Sequence, residues 1–189
     1  MLGMDSYNPH FYSESSNIII ELGQELKKLI GKEIFDIWVV YDSNNNEWFK
    51  DCPIVLNVEG IKVELCAFKF NEFAITFNTI DMSEKLNWYD IDDFDLEWRK
   101  EPIDDLLLVK DKKICNIELI EYNFQTEITY SKDYPNEVGK KHSAWILNGI
   151  GFELTDGYFS VFNGLDEIGI CIKPDLSNNI RTFKLLNGI

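Results

Sequence analysis

The hydrophobic positions change period at Lys32. Between Asn17 and Ile30 the apolar residues fall at Ile19, Leu22, Leu26, Leu29 and Ile30, a helical spacing that predicts one amphipathic helix. Lys27 and Lys28 sit in its last turn, where cations oppose the negative end of the helix dipole, and Gly31 follows at the position that favours glycine. From Lys32 onward the pattern is that of strands. Ile34, Phe35, Ile37, Val39 and Val40 form a β-rich run ending near Tyr41. Ile54–Asn57 follows Pro53, and Ile61, Val63, Leu65 and Ala67 alternate with Lys62, Glu64 and Cys66. Phe73, Ile75 and Phe77 complete a predicted four-stranded antiparallel meander, with Glu59-Gly60 as a tight connection.

The pattern then recurs. Lys32-x-Ile34-x-x-Ile37-x-Val39-Val40 matches Lys112-x-Ile114-x-x-Ile117-x-Leu119-Ile120. Val55-Leu56-Asn57, Gly60 to Leu65 and Phe77 to Asp81 match, in order, Ile146-Leu147-Asn148, Gly149 to Leu154 and Phe162 to Asp166. Strands are predicted over 145–148, 152–154, 158–163 and 168–172, with a last strand over 180–186 and a polar loop over 129–142. The reading is an α+β chain, mainly β: an N-terminal helix followed by two similar antiparallel β meanders packed as one globular unit. Its divisions are 1–80 for the helix and first repeat, 81–108 for an acidic aromatic connection with a short helix near 103–108, and 109–189 for the second repeat. Residues 1–15 read as an irregular arm.

Composition sharpens this picture. The chain has 189 residues, 45% of them hydrophobic and 14% aromatic, enough for a sizeable core. Thirty-three acidic residues against eighteen basic ones leave a formal net charge of −15. Such a chain repels phosphate backbones, so direct nucleic-acid binding is not expected, and a basic partner fits better. Residues 1–16 carry no apolar leader, and no apolar run approaches the roughly 20 residues that span a bilayer, so a cytoplasmic protein is expected. Cys52, Cys66, Cys115 and Cys171 form no C-x-x-C pair and are expected as free buried thiols.

Candidate chemistry is sparse. His10 and His142 are the two histidines, and neither belongs to a metal-binding or triad pattern. The chain contains no nucleophile elbow and no glycine-rich phosphate loop. Asn148-Gly149-Ile150-Gly151 opens a strand and reads as a hairpin turn. No catalytic residue, metal ligand or cofactor is therefore assigned. Asp81 and Asp166 occupy matching repeat positions and read as strand-exit turn residues; the alternative is two carboxylates facing a cleft between the repeats. Glu64 and Glu153 also match, and alternation places both in solvent. The segment 81–105 holds ten acidic residues and three basic ones among scattered aromatics. Asp90, Asp92, Asp93 and Asp95 with Trp88, Tyr89 and Trp98 are its candidate partner-binding residues, carboxylates steering a cation and aromatics anchoring it. The competing reading puts the aromatics in the core and the charges in water.

The opening Gly31-Lys32-x-Ile34-x-x-Ile37, the stretch Phe77-Asn78-Thr79-Ile80-Asp81 with Trp88-Tyr89 after it, and Trp145 to Phe152 together resemble small cytosolic proteins of low-GC Gram-positive bacteria. Some of these are similar to immunity partners of secreted polymorphic toxins. The resemblance implies a non-enzymatic acidic binding protein that covers a basic toxin domain, and it carries no site residues. The alternative is a small-ligand protein or enzyme using the carboxylate-lined cleft.

Overall fold

The computed structural model describes residues 3–89, 91, 93–127 and 141–186. Helix α1 spans Ser15–Lys27, and strand β1 runs Glu33–Asp42 directly after it. Gly31 lies between them with φ +87°, a left-handed conformation that glycine adopts without steric cost. Strands β2 (Glu47–Trp48), β3 (Ile54–Val58), β4 (Ile61–Phe68), β5 (Glu72–Phe77) and β6 (Leu96–Lys100) follow. Then come α2 (Asp104–Leu107), β7 (Lys112–Glu127), β8 (Lys141–Leu154), β9 (Gly157–Asn163), β10 (Ile168–Cys171) and β11 (Ile180–Lys184). The predicted helix, the first meander and the short helix near 103–108 are all present. Three expectations change. Trp145 to Leu154 belongs to one long strand, β6 arises inside the supposed connection, and His142 lies in β8. The rest of the expected polar loop, 129–140, falls outside the described residues.

The principal strand order is β10-β9-β8-β7-β1-β3-β4-β5, with β6 added to β1 and β11 to β7. The two halves repeat one strand arrangement, with matching hydrogen-bond registers. In the first copy Ile34 faces Val58, Asp36 faces Asn57 and Ile37 faces Leu56; in the second Ile114 faces Leu154, Asn116 faces Glu153 and Ile117 faces Phe152. Each copy has a bulge at the same step, so Phe35 and Cys115 are the extra residues and both turn outward. That bulge is why Cys115 is exposed, against the expectation of four buried thiols. The register of β6 on β1, Trp38 opposite Lys100 through Asp42 opposite Leu96, recurs as β11 on β7, Glu118 opposite Lys184 through Tyr122 opposite Ile180. β6 thus pairs with the first half, as β11 does with the second.

The copies join antiparallel where Glu33 pairs with its own counterpart Lys113. The bonds around this pair are reciprocal: Gly31 N donates to Ile114 O and Asp111 N donates to Ile34 O, each at 2.7 Å. A local two-fold axis through the pair accounts for both. Beyond it β1 and β7 diverge, and β6 and β11 occupy the edges thus freed.

The sheet folds at this junction so that both halves turn equivalent faces to one inner core. Ile37, Leu56, Val63 and Ile75 from the first half meet Ile117, Phe152, Phe159 and Ile168 from the second, with Ile18, Leu26 and Leu29 of the helical segment and Leu106 and Val109 beside them. Each such side chain contributes about 1.5–3 kcal/mol on burial. Asn163 ties the far ends together. Its Nδ2 donates to the carbonyls of Phe68, Lys69 and Glu72 at 3.4, 2.8 and 3.2 Å.

The outer faces differ. In the first half, residues 3–12 and 80–89 close over the sheet, burying Met4, Tyr7, Val40, Val55, Cys66 and Ile80 in a second core. The irregular arm is thus a structural cover. It is fastened at Glu84, whose carboxylate accepts from the amides of Asp5 and Ser6 at 2.9 and 3.3 Å. In the second half none of the described residues covers the equivalent face in this way.

Candidate functional site

The acidic aromatic connection divides its residues between core and solvent. Trp88 and Trp98 pack against the outer core of the first half, Trp88 edge-on to Phe49 with ring centroids 5.0 Å apart. Tyr89 is 65% exposed, and Asp93 and Asp95 are exposed. Asp90 and Asp92 lie outside the described residues. The backbone of Asp95 is held on both sides: its N–H donates to Asp42 Oδ1 at 3.1 Å, and its carbonyl accepts from Ser43 N at 2.8 Å. Partly buried rings and fixed backbone therefore hold the segment down while Tyr89, Asp93 and Asp95 face water.

Asp81 and Asp166 are not brought together. Asp81 accepts from Ser83 N at 2.9 Å and Ser83 Oγ at 2.7 Å, bonds that hold its carboxyl below the usual range. It lies beside Lys62, at the start of β4. Asp166 accepts from the amide of Lys69, just past the other end of β4, at 2.5 Å. Seven residues of extended chain separate Lys62 from Lys69, roughly 23 Å. Asp166 lies instead near Asp51, whose carboxyl is pushed up by burial and then by the charges of Asp166 and Glu167.

Glu64 corrects the expectation of a solvated carboxylate. It is fully buried on the outer face of the first half. Thr76 Oγ1, Thr79 N, Thr79 Oγ1 and Ile80 N donate to it at 2.5, 2.7, 2.8 and 3.1 Å. Alternation does place it opposite Val63 and Leu65, but the arm and connection cover that side too. Glu153 is half-buried and paired with Lys184.

A groove of about 1740 Å³ lies on the outer face of the second half, bounded by β7, β8, β9, β10 and β11 and by residues 172–179. Its floor depends on glycines in mid-strand. A Cβ on Gly151 would stand 2.9 Å from Tyr158 Cζ, and one on Gly149 2.7 Å from Phe162 Cα. Gly149 and Gly151 are thus not a hairpin turn; Gly149 lets the backbone of β9 approach at Val161 and Phe162, Gly151 lets the Tyr158 ring lie against the sheet, and Gly169 does the same for the Phe162 ring. Tyr158 donates to Glu118 at 2.9 Å, and Glu118 is 5% exposed. Burial first, and then the Glu118 carboxylate, push the Tyr158 phenol well above its ordinary range, so it stays a donor. On the other face of β7, Arg181 bonds Glu121 at 2.5 Å and stacks over Trp145 at 4.5 Å.

Sequence reading passed over this groove. The available signal was Ile120 and Tyr122 on the face of β7 that alternates with the core residues Ile117 and Leu119, together with Tyr158 and Phe162 on the same side of β9. A strand apolar on both faces needs cover for both. Among the described residues no group of three or more His, Cys, Asp or Glu side chains is arranged to hold a metal ion, and no helix is long and apolar enough to cross a membrane. No family model, curated protein or solved structure matches the chain.

Proposed function

We propose that this chain is a non-enzymatic acidic binding protein of the immunity type, which neutralises a basic toxin domain by covering it. The observation that carries the reading is the division within the connection: Trp88 and Trp98 fix it to the outer core, while Tyr89, Asp93 and Asp95 project. An anchored run of carboxylates meets a cationic surface with little ordering cost, and the net charge of −15 steers such a partner toward it. Aromatic side chains at its margin supply contact area. A cytoplasmic location accompanies this reading, and the four free cysteines fit a reducing compartment.

The test is co-expression with toxin domains encoded beside the gene. Protection of the host and capture of a basic domain are the expected result. The double variant Asp93→Asn/Asp95→Asn slows association about tenfold at low salt and much less at high salt. Absence of both protection and capture for every adjacent toxin sinks the reading.

A further inference from the structure

We draw no further inference here: the strongest candidate, the groove on the outer face of the second half between β7, β8, β9, β10 and β11, is lined by equal numbers of cationic and anionic side chains, has its Glu118 already buried and bonded to Tyr158, and carries nothing because nothing in the structure shows what covers its apolar surface.

Discussion

Glu64 should tolerate replacement by glutamine and not by leucine, for a reason that lies in which donors face which oxygen. Oε1 accepts from two backbone amides, Thr79 N at 2.7 Å and Ile80 N at 3.1 Å. Oε2 accepts from two hydroxyls, Thr76 Oγ1 at 2.5 Å and Thr79 Oγ1 at 2.8 Å. In Glu64→Gln the amide oxygen keeps the two backbone donors. Its NH2 group then donates to the two threonine oxygens, whose protons rotate away, and the chain continues through Tyr7, whose hydroxyl is 3.2 Å from Thr76 Oγ1. Every group remains paired. The weaker neutral bonds are partly offset because a charge is no longer desolvated, so the expected loss is about 1 kcal/mol. Glu64→Leu strands two buried amides at about 1–3 kcal/mol each, and the expected loss is about 4 kcal/mol. Urea unfolding followed by tryptophan fluorescence measures both. With a slope of about 2–3 kcal/mol/M, the leucine variant's midpoint falls by about 1.5 M and the glutamine variant's by less than about 0.5 M. A leucine variant within about 0.3 M of the parent, or a glutamine variant as unstable as the leucine one, refutes the reasoning.

Three further outcomes follow from the same structure. Gly151→Ala drives a Cβ to 2.9 Å from Tyr158 Cζ and 3.0 Å from Glu118 Cγ, so it should cost about 1–3 kcal/mol in urea unfolding and alter near-ultraviolet circular dichroism. Gly164→Ala, whose added carbon meets nothing closer than 3.5 Å, is the matched control and should cost under about 0.5 kcal/mol. Asn163→Ala removes the donor that links the halves and should cost about 2 kcal/mol. Asn163→Asp, which turns an anion toward carbonyls at 2.8 and 3.2 Å, should cost more than the alanine change, and equal losses would remove Asn163 as the tie. Asp51 has a raised carboxyl pKa from burial and from Asp166 and Glu167; the folded state therefore holds its proton to higher pH than the unfolded state, and stability falls as pH rises through that window. Asp51→Asn should be more stable than the parent at pH 7, with the difference vanishing as pH drops below the unfolded carboxylate value of about 3.9, and a difference independent of pH refutes it.

The repeat was legible in the sequence at its start and misread in its middle. Lys32 to Val40 and Lys112 to Ile120 do correspond, because the bulge at Phe35 and Cys115 forces the same apolar spacing on both strands. Val55-Leu56-Asn57 and Ile146-Leu147-Asn148 do not. Val58 and Leu154 hold the same place opposite Ile34 and Ile114, a displacement of 96, whereas Leu56 and Leu147 are 91 apart. A slip of five residues should reverse the faces of a strand. Here Asn148 forms a second bulge on β8, opposite the step from Ile120 to Glu121, and turns Leu147 back into the core. Glycine misled for a related reason. Gly60, with φ +86°, makes a two-residue hairpin with Glu59, while Gly149 makes room for neighbouring backbone and Gly151 for a ring, and the letter is the same in all three. The register thus makes Ser160 the counterpart of Glu64, the two facing Gly151 and Val55 respectively. The identity of Glu64 with Glu153 was an accident of alignment. Burial of Glu64 was illegible because its cover comes from residues 3–12 and 78–89, distant in sequence or without a period of their own.

The divergence between the copies explains how an apolar face stays open. In the first copy that face carries Trp38, Val40, Val55 and Cys66, which depend on chain from outside the sheet to exclude water. In the second copy the same positions hold Glu118, Ile120, Gly151 and Phe162. Side chains of its own strands shield this floor: the Tyr158 and Phe162 rings rest over glycines, as aromatic residues do beside glycine in stable sheets. The Tyr158–Glu118 bond satisfies the polar groups that the rings enclose. A face that had merely lost its cover would retain the tryptophan and valine it was built to bury. The glycines and the rings resting over them instead suit a face shielded by its own strands.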